Sequence, residues 1–230
     1  MSVAPRPVTP RTVTRKDVKA FINNYIELLQ YDAHQKVIFN GSELQCDLLQ
    51  RTAPKVFRDI NLLIVKHVIL QICTLTDSEK TTVRGTVNYN LTTEFFANNS
   101  DFSTAVAEGK RLKKLAARIN AFRKKLEPAR HKRLGHLDLD VASSRKSLGR
   151  ASVAAWGRMW RDLGEFVSIL QKRYLPPREQ QDLTAICHLS DADQLIRAVK
   201  ESSFFRAAFS DHTLTLRLDE IARASRYYNA

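Results

Sequence analysis

Three observations predict an all-α protein: scarce turn formers, apolar residues spaced at three and four, and no sustained alternation. Glycine and proline number only seven each in 230 residues, while 43% of the chain is hydrophobic. That balance favours long helices over many short strands joined by turns. The alternating run from Thr213 to Leu216 is too short to outweigh its surroundings.

The elements follow in chain order. Residues 1–13 read as a flexible arm. Thr14 with Asp17 three residues later is a capping-box start, and Val18, Phe21, Ile22, Tyr25, Leu28 and Leu29 then mark one face of a helix. Gly41-Ser42 breaks that pattern, a second helix begins there, and Pro54 punctuates it. Val56 to Leu75 is apolar around most of its circumference, as expected of a central buried helix. Asp77 to Asn88 is polar and reads as a connector, after which Asn90 caps a short helix through Phe96. Ser100-Asp101 opens a long helix whose seam is Leu112, Leu115, Ile119, Phe122 and Leu126. Pro128 ends that helix or restarts it. Residues 137–150 read as a loop. A helix over 151–174 carries Trp156, Trp160, Leu163, Val167 and Leu170, and Pro176-Pro177 stops it. Helices at about 190–208 and 212–228 close the chain.

Thirty-seven cationic against 24 anionic residues give a formal charge of +13, which points to a polyanionic partner such as nucleic acid. Most of the excess is local. Residues 110–133 hold eleven lysines and arginines against a single carboxylate, Glu127, a net +10. A merely soluble helix mixes signs; this segment suits phosphate binding that is salt-sensitive and largely blind to sequence. No uninterrupted apolar run of about 18 residues suggests a membrane span, and the N-terminal stretch lacks an apolar signal core. A cytoplasmic location is expected. Cys46, Cys73 and Cys187 form no CxxC pair and read as small buried hydrophobes in a reducing compartment.

His34, His67, His188 and His212 stand singly, and no spacing points to a metal. There is no glycine-rich phosphate loop and no nucleophile elbow. Chemistry therefore falls to residues 128–138, PARHKRLGHLD, at the end of the basic segment. Arg130 is a permanent cation that can fork onto a phosphodiester. His136 can carry a proton near neutral pH. RNA supplies its own nucleophile, the 2′-OH, so the pair suffices for transesterification without metal or cofactor. Lys124, Lys125, Lys132 and Arg133 form the approach for RNA.

The stretch Arg130-His131-Lys132-Arg133-Leu134-Gly135-His136 resembles the Arg-φ-x4-His motif of HEPN domains, with His131 at φ. Together with LQICTLTD (70–77), NLTTEFF (90–96) and RKKLEPARHKRLGHLD (123–138), it is similar to the abortive-infection U-type branch of that superfamily, over roughly residues 15 to 175. The resemblance implies a HEPN-like helical bundle over 14–175 with a helical extension over 176–230 packed on it. It also implies a homodimer that brings two motifs into one cleft, Arg130 and His136 as the catalytic pair, and His131 shaping the site. The function implied is a metal-independent endoribonuclease of a toxin or abortive-infection system, with any antitoxin or partner protein a separate chain. A non-catalytic RNA- or nucleotide-binding module is the alternative. The pairing of arginine with histidine favours the enzyme, since binding alone needs no histidine.

Overall fold

The computed structural model describes residues 11–83, 86–130, 151–183 and 190–210. Seven α-helices and one hairpin lie among them: α1 (Arg15–Phe39), α2 (Glu43–Thr52), α3 (Pro54–Leu75), β1 (Lys80–Val83), β2 (Thr86–Tyr89), α4 (Thr93–Asn99), α5 (Val106–Ala129), α6 (Val153–Tyr174) and α7 (Ser190–Ser210). The protein is all-α in class, with a minor two-stranded sheet. The expected loop at 137–150 and the expected helix at 212–228 lie outside the described residues, as does Cys187.

Helix starts follow local chemistry. The Thr14 backbone N–H and hydroxyl donate to Asp17 Oδ2 at 3.0 and 2.7 Å, and the Asp17 N–H donates back to Thr14 Oγ1 at 3.2 Å. Ser42 and Ser152 accept from the N–H groups of Gln45 and Ala155 and so cap α2 and α6. Each such cap contributes about 1 kcal/mol.

The described residues fall into two compact units. The first holds the residues up to Asp32 and those from Leu63 to 183; the second holds Ala33–Leu62 and α7. In the first unit the core gathers around Phe21 of α1, whose ring lies 4.9 Å from Phe96 of α4 and 6.0 Å from Phe166 of α6. The seam of α5 is buried along its whole length, from Leu112 and Leu115 through Ile119 and Phe122 to Leu126, and packs against α4 and α6. Trp156 and Trp160 flank this core half-buried, Trp156 edge-on to Phe122 at 5.0 Å. In the second unit α2 and α7 pack around Leu49, Ile196 and Val199.

Four local expectations need correction. The polar connector is an antiparallel hairpin, with Lys80 opposite Tyr89 and Val83 opposite Thr86. Each strand is only four residues long; β1 is exposed throughout, and in β2 only Val87 and Tyr89 alternate inward, too short a run to mark a strand. The cap of α4 is Thr92, which accepts from the Phe95 N–H, while Asn90 donates its side-chain amide to the Ser78 carbonyl. Ser100 closes α4 rather than opening α5, and Asp101 accepts from the Ser103 N–H in the intervening turn; α5 starts at Val106. Finally, α3 is not buried all round. Val68, Ile72, Cys73 and Leu75 face the interior, but Val56, Leu62, Leu63 and Leu70 are exposed.

Candidate active site

Five apolar residues on one side of α5 fix where its charges must go. At 100° per residue the five span about 80°, and with the buried Ala116 the apolar face covers about one third of the helix circumference. Lys110, Lys113, Lys114, Lys124 and Lys125 fall on the third directly opposite, and all five are exposed. None of them makes an ion pair among the described residues. Arg111 and Arg118 lie between these faces and are engaged. Arg111 grips Glu165 through Nε and Nη2 at 2.6 and 2.8 Å, and Arg118 grips Asp162 in the same way at 2.9 and 2.6 Å. Both acids belong to α6. Among its described residues, the segment that looks uniformly cationic in sequence therefore splits by residue type, its arginines tied into the fold and its lysines exposed to solvent.

Arg123 and Arg130 stand seven residues apart, two turns along one edge of α5. Both reach Asp77, just beyond the end of α3. Arg123 Nη1 lies 2.8 Å from Asp77 Oδ1, and Arg130 Nη1 lies 2.8 Å from Asp77 Oδ2. The carboxylate is itself fastened, because the Ser78 N–H donates to Oδ1 at 3.2 Å. All three side chains are partly buried, at 18% exposed for Arg123, 28% for Asp77 and 29% for Arg130. Ion pairs in such a setting are less screened than surface ones.

The end of α5 places Arg130 directly. Pro128 does not stop the helix; it sits inside the last turn, and Arg130 keeps helical dihedrals with its N–H on the Leu126 and Glu127 carbonyls. A cation at a helix C-terminus is favoured by the backbone dipole. Beneath this corner lies Cys73. Burial pushes its thiol above the usual range, and Asp77 and Glu127 add to that, while Arg130 and Arg123 pull the other way without prevailing. Cys73 thus behaves as a packed neutral side chain, as expected from the sequence. Cys46 is half-buried, with its thiol 3.8 Å from the Phe39 carbonyl.

Of the residues singled out by sequence, Arg130, Lys124 and Lys125 are described and share the C-terminal half of α5. His131, Lys132, Arg133 and His136 lie outside the described residues. The sequence reading missed Asp77 and Arg123. The available signals were the repeat of arginine at an interval of seven on a helix whose seam was already legible, and the presence of both residues in the stretches 70–77 and 123–138 that carry the family resemblance.

The HEPN_AbiU2 family, described as AbiU2, matches residues 26–175. This chain belongs to that family. No curated protein and no solved structure matches it. The matched span runs from within α1 to the residue that closes α6, so it contains Asp77, the whole of α5 and the Arg130–His136 stretch. The chain is thus an abortive-infection HEPN domain of the U type, and its all-α build agrees with that class.

Proposed function

We propose that this HEPN domain is a metal-independent endoribonuclease of an abortive-infection defence system. Arg130 binds the scissile phosphate and His136 moves the proton. His131 shapes the pocket, while Lys124, Lys125, Lys132 and Arg133 guide the RNA backbone. The carrying observation is Arg130 itself: a partly exposed guanidinium held at the end of a helix that also carries a face of exposed lysines, in a domain of this family.

In the reaction, a histidine takes the 2′-OH proton and the freed oxygen attacks the adjacent phosphorus. The bond to the 5′-oxygen breaks, that oxygen receives a proton, and a 2′,3′-cyclic phosphate remains. Arg130 and the nearby cations offset charge building on the phosphoryl oxygens. One histidine does not readily serve as base and acid together. A two-fold partner with a second motif solves this, as would His131, and the protein is accordingly read as a cytoplasmic homodimer.

The lysine face favours one other reading, a module that binds RNA or nucleotides without cutting, because that face requires no histidine. One experiment separates the two. Purified protein is incubated with mixed cellular RNA in excess chelator, beside Arg130→Ala and His136→Ala. Cleavage that resists chelator and disappears in both variants is the expected result. Binding without cleavage by the wild type would replace the nuclease with the binding module.

A further inference from the structure

We infer that Asp77 is a positioning residue, which with Arg123 fixes the Arg130 guanidinium for phosphate binding. The inference rests on the reading of Arg130 as the phosphate clamp.

An arginine side chain is long and loses several rotamers' freedom whenever it is held in place. At the end of a helix Arg130 would sample those rotamers unless something opposed it. Asp77 does so from a different element. Its two oxygens are divided, one to Arg123 Nη1 and one to Arg130 Nη1, each at 2.8 Å. The Ser78 N–H on Oδ1 fixes the carboxylate in turn. The last two turns of α5 are thereby tied to the residue just beyond α3 at two points, seven residues apart.

The charges add to more than a tether. One carboxylate between two guanidiniums leaves those three side chains net positive, with Glu127 the other acid near this corner, so Asp77 alone does not cancel the charge that meets a phosphate. A guanidinium carries five N–H donors on more than one edge, and engaging Nη1 does not consume its capacity. Stability alone is a poor account of the arrangement. Arg123 Nε is buried with no hydrogen-bond partner among the described residues, an arrangement that well-packed apolar side chains would avoid. Asp77 itself touches neither RNA nor proton in this scheme; it acts through Arg130.

The test uses the full chain and Asp77→Asn, which keeps the shape and can still accept from Ser78. Two readouts are combined. One is kcat and KM on an RNA substrate. The other is the Arg130 side-chain Nε–H resonance, assigned with Arg130→Lys, which reports directly whether that guanidinium is held. Asp77→Asn is expected to lower kcat by about 10- to 100-fold, since an ångström of misplacement costs about that much. KM should move little and the melting temperature should stay near wild type. The Arg130 resonance should shift or broaden, and Asp77→Glu should recover part of the rate. If the asparagine variant fails to fold, Asp77→Glu and Arg123→Gln carry the same two measurements. An unchanged kcat with an unchanged Arg130 resonance would overturn the inference and leave the nuclease reading intact. If the wild type cuts no RNA, the nuclease reading fails by itself. The positioning role is then judged on the resonance and on affinity for a 2′-deoxy oligonucleotide that cannot be cut. In that case loss of both in Asp77→Asn sustains the role, and retention of either overturns it.

Discussion

Lys124 and Arg123 are neighbours in sequence with opposite fates in the fold. The Arg123 guanidinium is planar, weakly hydrated and bonded through Nη1 to the Asp77 carboxylate, so it suits a fixed, partly buried pair. The Lys124 ammonium is compact and strongly hydrated, and it stays in water. The same division holds for Arg111 and Arg118 against Lys110, Lys113 and Lys114. It leads to a differential prediction. Replacing the five lysines by glutamine should weaken RNA binding at every sequence tested. It should also flatten the dependence of log affinity on log salt by about 3 to 4, since each released single-strand contact contributes about 0.7. Arg118→Gln should leave that slope almost unchanged, because Asp162 already occupies its guanidinium. Filter binding across a salt series measures both, and an equal loss of slope in the two variants would refute the partition.

At the scale of elements, apolar spacing was legible and its surroundings were not. The α5 seam could be read from sequence because a helix buries one continuous side, and every seam residue expected to be buried is buried. Leu115→Ala should accordingly cost about 2 to 5 kcal/mol in a chemical denaturation series. Ala117→Ser, on the exposed side, should cost less than about 0.5 kcal/mol. Helix α3 marks the limit of this reasoning. Its sequence shows that Leu63 and Leu70 are apolar, not whether another element lies against them, and both are exposed. The hairpin escaped for the opposite reason, since β1 is exposed throughout and the alternation of β2, with only Val87 and Tyr89 half-buried, is too short to stand out. Asp77 was out of reach for a third reason. Its partners are 46 residues away at Arg123 and farther at Arg130, and no local rule links an acid after one helix to cations at the end of another. The motif thus pointed to Arg130 but not to what holds it.

At the scale of the molecule, hydrogen-bonded carboxylates make the fold sensitive to acid. The hydrogen bond from Arg111 holds the Glu165 carboxyl below its usual range, and the Ser103 backbone N–H does the same for Asp101. Burial pushes the Glu79 carboxyl up, but hydrogen bonds from Asn98, Lys80 and Asn99 together outweigh it and bring it down. Each group binds its proton less readily folded than unfolded, so its stabilisation is present above the unfolded value of about 4 and is lost as pH falls through the folded one. Melting temperature should therefore be steady from about pH 6 to 5 and decline below about pH 4, and Glu165→Gln should make that decline shallower.

Assembly is the remaining question at this scale, and catalysis makes it testable. If two motifs share one cleft, a monomer lacks either its base or its acid. Activity must then follow association rather than total protein. Light scattering is expected to give twice the chain mass of 26.3 kDa at micromolar concentration. On dilution, specific activity should fall over the same range in which the measured mass falls, because both report one equilibrium. A species of single-chain mass with constant specific activity would instead place both proton transfers within one chain, and His131 would become the second proton carrier. His131→Ala then decides the matter: in the dimer it should alter the rate modestly, whereas in an active monomer it should abolish cleavage as completely as His136→Ala.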